Sequence, residues 1–311
     1  MNAIQRIERK LWTIKKKSLP PCKKDWPLKM LIKYDMFLYK QKMGYTFDFQ
    51  HPILFTEKIQ RYKLLYDRPE FPDIVDKYLF KDYIKDKLGE GNTIPLYGVW
   101  TTIDDLRRDW NRLPNAIVLK SNLQGEGKCI RIIKDKSSID FEDLAKELES
   151  WLDPLNTAIN TLLHAYHRGT PRILAEEYKA QINGQLYDYK VFCFNGKPHC
   201  CYVATDHFPG QLSHISFYDL EWNRLNVRYG DHPNCDVDKP VHFDEMLQKA
   251  KKLSENFPFV RVDFFEADGH VFVAEMTMYP GAGQIPYHPE SFNRELGDLF
   301  VLPESEMIRN G

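Results

Sequence analysis

The chain has 311 residues, of which 43% are hydrophobic and 14% aromatic, enough to bury a substantial core and, by length, to form about two domains. No apolar run approaches the roughly 18 residues of a membrane span and none follows the N-terminal charges, so neither an anchor nor a signal peptide is expected. The formal net charge of −1 hides an asymmetry: residues 1–45 hold 12 Lys/Arg against 3 Asp/Glu, and the remainder holds 31 against 41. A basic arm on an acidic body points to an anionic partner or a membrane surface. The cysteines (Cys22, Cys129, Cys193, Cys200, Cys201, Cys235) form no CxxC, and adjacent Cys200-Cys201 suits no disulfide framework, which fits a reducing cytoplasm. The histidines form no HExxH and no Cys/His cluster of zinc spacing.

Along the chain, Ile4, Ile7, Leu11 and Ile14 recur at helical spacing among Arg6, Arg9, Lys10 and Lys15 to Lys17, which describes an amphipathic basic helix ended by Pro20-Pro21. Residues 1–17 then either lie on an anionic membrane surface or dock on the body with their lysines solvated. A second helix is expected from Leu28 to Met43, stopped by Gly44. A third opens at Phe55-Thr56-Glu57-Lys58 with Thr56 as N-cap, followed by a turn from Asp67 to Pro72. A fourth runs from Asp76-Lys77 to Lys87 and closes at Gly89-Glu90-Gly91. Ile94 to Trp100 and Ala116 to Lys120 read as buried strands with a helix from Ile103 to Trp110 between them, an alternation that suggests an α/β unit.

Ile117-Val118-Leu119 ends in Lys120, and Gln124-Gly125-Glu126-Gly127-Lys128 precedes a second apolar strand, Cys129 to Ile133. Glycines between two strands let backbone N–H groups approach a phosphate closely, and a lysine on each side supplies charge. A Walker loop is excluded, because Asn122 stands where its first glycine belongs and Cys129 where Ser/Thr is required. Phe141 to Leu152 is a helix. Arg172 to Tyr178, containing Glu176 and Glu177, is a strand running into a turn at Asn183-Gly184. Tyr187 to Phe194, Asn195-Gly196 and Cys200 to Ala204 make a hairpin, on which Lys190 either reaches a phosphate or pairs with Asp188.

Val260 to Gly281 is a second hairpin around Asp268-Gly269. Strand side chains alternate faces, so a two-residue loop would put Asp263 and Glu275 on opposite faces. A three-residue loop, Ala267-Asp268-Gly269 with Gly269 left-handed, brings Arg261, Asp263 and Glu275 together, and this is the expected geometry. Two carboxylates on one face repel unless a cation lies between them, and hard oxygen ligands with room for water and phosphate suit Mg²⁺. Tyr279-Pro280-Gly281-Ala282-Gly283 ends the strand beside them.

The order of elements resembles an ATP-grasp ligase over roughly residues 50–300, and within it the TupA-like, teichuronopeptide-biosynthesis branch found among surface-polysaccharide genes. The stretches that carry the resemblance are FTEKIQRYKLLYDR, DKY at 76–78, IPLYGVW, VLKSN, RILAEEY, DYKVFCFNGKP, FYDLEWN, FPFVRVDFF and AEMTMYPGAG. The ATP-grasp pattern at its metal end is Asp, then Glu-x-Asn, then Pro and Gly; Thr277 stands here where Asn is usual. The usual histidine and serine around the glycine loop are Leu123-Gln124 and Glu126.

The resemblance implies an α/β (α+β) ATP-grasp fold with a helical N-terminal extension. The extension would take residues 1–50, an N-terminal α/β subdomain 51–115, a lid with the glycine loop 116–178, a C-terminal subdomain with the metal site 179–302, and a tail 303–311. It implies ATP and Mg²⁺ as cofactors and ligation of a carboxylate, such as a uronic acid or an amino acid, to an amine through an acyl-phosphate. Asp263, Glu275 and Thr277 would be the metal ligands, and Arg261 and Lys120 the catalytic charges. Lys77, Lys120, Gln124, Gly125, Gly127 and Lys128 would face the phosphates. Glu176, Glu177 and Tyr178 would form the hinge that holds adenine and ribose, with Asp188 and Lys190 completing the nucleotide site. The implied location is the cytoplasm, at the inner face of the membrane.

Two other readings compete. A glycosyltransferase would use Asp236-Val237-Asp238 as a metal-binding DxD, and a binding protein would keep the fold without turnover. Nucleic-acid binding is not expected, because the basic arm lacks interleaved aromatics.

Overall fold

A computed structural model describes residues 3–125, 129–179, 187–205 and 212–303. Among them no helix is long and apolar enough to cross a membrane. Helix α1 (Ala3–Lys16) docks on α2 (Leu28–Met43), which ends at Gly44 with φ 86°, the left-handed stop its sequence implies. The docking uses Glu8, Trp12 and Lys16, spaced i, i+4, i+8. Glu8 pairs with Lys40 at 2.7 Å, and the Trp12 ring lies 5.0 Å from Tyr34 and 5.8 Å from Phe37. Leu11, on the apolar stripe, is 61% exposed.

Helix α3 (Phe55–Leu65) is capped differently from the expectation. Glu57 reaches back to accept from the Ile53 and Leu54 N–H groups at 2.8 and 3.0 Å, and Thr56 lies inside the helix, its hydroxyl bonded to Tyr39 and Asn293. Buried hydrogen-bond partners have taken the hydroxyl that a solvent-exposed Thr would have turned onto the helix end. The expected turn before Pro72 contains a short helix, α4 (Phe71–Val75), because proline is tolerated in a first helical turn. Helix α5 (Leu79–Leu88) is started by Asp76, whose carboxylate accepts from the Tyr78 and Leu79 N–H groups.

Two larger antiparallel sheets follow, besides a two-stranded pairing of Arg228–Tyr229 with Tyr287–His288. The first has the order β1 (Leu96–Trp100), β4 (Ile173–Glu177), β2 (Ile117–Ser121), β3 (Ile130–Ile133). The strand read as part of a preceding α/β unit, β1, thus pairs with β4 in the same sheet as the glycine loop. One face of this sheet, with Ile117, Leu119, Ile173 and Ala175, is buried under α6 (Ile103–Asp109) and α7 (Phe141–Leu152) in a separate apolar core with Trp100, Trp110 and Trp151. The other face carries Val118, Lys120, Leu174 and Glu176, and at its edge Ile130 and Ile132, 40% and 50% exposed.

The second sheet runs β11 (His270–Thr277), β10 (Phe259–Ala267), β5 (Asp188–Phe194), β6 (Lys197–Thr205), β7 (His214–Tyr218) and the short β8 (Arg224–Leu225). Helix α8 (Phe243–Ser254) covers one face. The other begins in an aromatic core where Phe55 meets Phe259 at 4.8 Å and Phe194 at 5.9 Å, closed by α9 (Glu290–Leu299). Gly297 permits that closure, since a Cβ there would stand 2.4 Å from the Ile53 carbonyl. Past the aromatics the same face turns polar.

Candidate active site between the two sheets

The hairpin β10–β11 converges its acidic residues by a different device from the expected one. Asp268 and Gly269, at φ 54° and 74°, form a two-residue turn, with Ala267 opposite His270. Such a turn alone would set Asp263 opposite Ala274. A bulge between Val273 and Glu275 inserts one residue, so that Asp263 faces Glu275 and Arg261 faces Thr277. Directly opposed residues share a face with Cβ atoms about 4.5–5.5 Å apart. The expected convergence is present; its cause is the bulge at Ala274.

Asp263 is 2% exposed and fully engaged. Arg261 donates to it through Nε and Nη2, both at 2.6 Å, and Lys190 from the neighbouring β5 donates at 2.6 Å. Burial pushes the Asp263 carboxyl up, but these two cations outweigh it and hold it below its ordinary value. Arg261 also donates to the Tyr202 hydroxyl at 3.1 Å and to Thr277 Oγ1 at 3.4 Å. Lys190 stands between Asp263 and Asp188, the latter 3.5 Å away, so the expected pairing with Asp188 is present and Asp263 is a second partner. Glu275 makes no ion pair or side-chain hydrogen bond among the described residues, although it lies within electrostatic reach of Arg261 and of the buried Tyr166.

On the first sheet, Glu176 is 5% exposed and clamped by Lys120 on β2 and Lys81 on α5, each at 2.6 Å. Burial raises its carboxyl, but the two ammonium groups prevail and set it at about 2. Both Glu176 oxygens are thus engaged by lysines. Glu177 remains half open and pairs with Lys179 at 2.8 Å, which also reaches Asp268 in the hairpin turn at 3.2 Å. The two sheets meet at the segment before β1. Lys81 donates to the Ile94 carbonyl at 2.7 Å, Asn92 accepts from Val273 N–H, and Ile94 packs on Phe265 and Phe272 beside the polar row.

The stem of the glycine loop is fixed by residues the sequence did not single out. Asn122 donates to Asp76 at 2.7 Å and accepts from Arg172 N–H at 2.7 Å, while Arg172 pairs with Asp76 at 2.9 Å. Lys77 donates to the Gln124 carbonyl, and Gly125 faces open space. Gly127 and Lys128 lie outside the described residues. Tyr178 follows β4 with Lys134 6.0 Å from its ring. Lys81, on α5, was missed in the sequence, and no helical spacing links it to Lys77, which lies in the turn before the helix.

The Asp236-Val237-Asp238 loop is occupied otherwise. Asp236 pairs with Arg224 at 2.6 Å, and the Val237 backbone bonds Tyr218 and Trp222. Among the described residues no group of three or more His, Cys, Asp or Glu could hold a metal unaided. Of the residues expected as metal ligands, Asp263 has both oxygens bonded by Arg261 and Lys190, Glu275 opposite it has no ion pair or side-chain hydrogen bond among the described residues, and Thr277 accepts from Arg261.

No curated protein matches the sequence significantly. Among solved structures the chain is similar to D-alanine–D-alanine ligase from Bacillus anthracis, at 17% identity over 66% of this chain and 57% of that one, with a TM-score of 0.39. It is similar to D-alanine–D-alanine ligase from Helicobacter pylori at 17% identity, 74% and 61% coverage and a TM-score of 0.41. For phosphoribosylamine–glycine ligase from Thermotoga maritima the values are 13%, 68% and 49%, and 0.39. The chain thus spans between 49% and 61% of the length of these structures. The family model described as TupA-like ATP-grasp matches residues 57–301, a span that takes in both sheets, the glycine loop and the bulged hairpin. With its helical N-terminal extension, the chain belongs to the TupA-like ATP-grasp family.

Proposed function

We propose that the protein is an ADP-forming ligase that joins a carboxylate to an amine, with ATP and Mg²⁺, in surface-polysaccharide synthesis. The observation that carries this reading is a complementary imbalance of charge. Lys81 of α5 and Lys120 of the first sheet against Glu176 leave +1 around that glutamate, while Arg261 and Lys190 against Asp188, Asp263 and Glu275 leave −1 on the second sheet. A surplus of cation suits phosphate, and a surplus of paired carboxylate suits a divalent metal, so a metal–polyphosphate answers both. The exposed Ile130 and Ile132 on the same face as Lys120 support an apolar seat for a base.

In this proposal Asp263 and Glu275 hold Mg²⁺, which when bound would neutralise charge on the β- and γ-phosphates, and Thr277 offers a further oxygen. Lys120, Lys81 and Lys77 bind phosphate oxygens, together with Gln124, Gly125, Gly127 and Lys128 of the glycine loop. Glu177 and Tyr178 hold the nucleoside, and Asp188 keeps Lys190 in place. A substrate carboxylate oxygen attacks the γ-phosphorus and ADP departs. The amine nitrogen then adds to the acyl carbon, phosphate leaves, and the amine proton passes to solvent. Arg261, in contact with both Asp263 and Thr277, stabilises the oxygens on which charge develops. Positioning and charge suffice, without a covalent enzyme intermediate. We place a uronic acid and an amino acid as the pair joined, in the cytoplasm. The basic α1, which docks through Trp12 and leaves Leu11 outward, makes peripheral contact with anionic membrane. Deleting residues 1–17 should weaken binding to anionic vesicles, and unchanged binding removes that contact.

The deciding experiment is magnesium-dependent release of ADP and phosphate from ATP, screened against uronic acids and amino acids singly and in pairs. Release that needs an acid and an amine together supports the ligase; a folded protein that binds no nucleotide overturns it.

A further inference from the structure

Directly after the metal-side strand the chain makes an unusual turn. Gly281, Ala282 and Gly283 all take left-handed conformations, at φ 54°, 53° and 65°. Ala282 has no glycine's freedom to do so, and such a conformation persists only where the surroundings impose it. Here they do. The Ala282 carbonyl accepts from Lys63 at 3.0 Å and Gln60 at 3.2 Å, and the Gly283 carbonyl accepts from Gln60 at 2.7 Å. Gln60 and Lys63 lie on one face of α3 and bond each other at 2.5 Å. Lys63 is in turn paired at 2.7 Å with Asp35 of α2, both side chains being essentially inaccessible at 1% and 0%. Gln284 closes the circuit by donating to Asp35 at 3.3 Å. A Cβ at Gly283 would stand 2.4 Å from the Gln60 amide, so the approach leaves no slack.

A buried ion pair is a costly way to stabilise a fold, since apolar residues of similar volume do as well or better, so its contacts with the turn are the more informative part of its role. Only Met278, Tyr279 and Pro280 separate Thr277 from the turn, and all three are buried. We infer that Asp35, Lys63 and Gln60 are positioning residues: through the carbonyls of Ala282 and Gly283 they fix the turn that sets where β11 delivers Glu275 and Thr277 to the metal–nucleotide. The N-terminal extension is thereby part of the site. The inference rests on the metal role proposed for the hairpin.

The test is calorimetric titration of ADP with and without Mg²⁺, alongside thermal melting. In the wild type Mg²⁺ should tighten ADP binding. In the double variant Asp35→Leu/Lys63→Met the turn loses its lysine while the pair is replaced by apolar groups. There the Mg²⁺ enhancement should fall at least fivefold, with metal-free ADP affinity unchanged. The neutral polar pair Asp35→Asn/Lys63→Gln keeps donors for the carbonyls and should restore the enhancement to within twofold. If the apolar pair fails to fold, Gln60→Leu, which removes the amide donors to both carbonyls and leaves Lys63–Asp35 intact, should show the same selective loss. Variants that melt lower but keep the full Mg²⁺ enhancement would overturn the inference. A wild type whose ADP binding ignores Mg²⁺ would instead sink the ligase reading itself.

Discussion

Glu176 on the first sheet meets two lysines at 2.6 Å each, whereas Glu275 on the second has no ion pair or side-chain hydrogen bond among the described residues and faces another carboxylate. The first arrangement is closed: a buried anion with both oxygens satisfied holds two strands and a helix together. The second is open, because Arg261 and Lys190 bond Asp263 directly, while Glu275 has only Arg261 within electrostatic reach. A fold selected only for stability would not set Glu275 there, since like charges directly opposed across a ladder destabilise it. The difference separates a carboxylate that builds the site from one that is available to a ligand.

Removing each member of the opposed pair gives the sharpest break in this comparison. Asp263→Ala strands Arg261 and Lys190 in a buried place, so we expect a stability loss of about 3–5 kcal/mol by denaturant unfolding, along with loss of MgATP-dependent turnover. Glu275→Ala removes a carboxylate that opposes Asp263 and interacts with Arg261 only at a distance. Its stability should stay within about 1 kcal/mol of wild type, or rise, while turnover falls by about a hundredfold or more. Equal destabilisation by the two changes would show that Glu275 is as structural as Asp263.

Those roles were only partly legible in the sequence. Local signals placed most elements well: Gly44 stops α2, Asp268-Gly269 turns the hairpin, and apolar runs mark β2, β5 and β10. The bulge at Ala274 escaped because nothing in a small residue between Val273 and Glu275 distinguishes an inserted position from a paired one, and only the chemistry of two converging acids suggested the right face. The lysine clamp on Glu176 was not legible because its partner Lys81 lies 95 positions earlier, beyond any local pattern. Lys63 reads as an ordinary exposed lysine on an amphipathic helix. Its burial follows from Asp35 on another helix, and pairings of that range are set by packing.

The closed carboxylate should reveal itself through acid. Glu176 stands at about 2 in the folded protein against its ordinary 4.5. A depressed carboxyl contributes stability that is fully present above pH 4.5 and is lost as pH falls through 2, here about 3 kcal/mol. Glu176→Gln lacks that contribution and leaves Lys81 and Lys120 facing each other. We expect it to be less stable than wild type by about 2–3 kcal/mol at pH 7, with the gap closing between pH 4.5 and 2 in urea titrations. A gap independent of pH would mean that the glutamine disturbs packing and that the charge is incidental.

The smallest effect is expected at a third acidic locus, which sharpens the comparison by being neither clamp nor open ligand. Asp236 is exposed and paired with Arg224, and its loop is held by backbone bonds, from the Tyr218 hydroxyl's acceptance of Val237 N–H and the Trp222 indole's donation to Val237 O. The rings of Tyr218 and Trp222 stack at 4.4 Å beneath it. An exposed ion pair contributes at most about 1 kcal/mol, and the loop keeps its support without the carboxylate. Asp236→Ala should therefore leave stability within about 0.5 kcal/mol and ADP release within twofold of wild type. If it abolished turnover while Glu275→Ala did not, the metal would belong to the DxD loop, and a glycosyltransferase would have to replace the ligase.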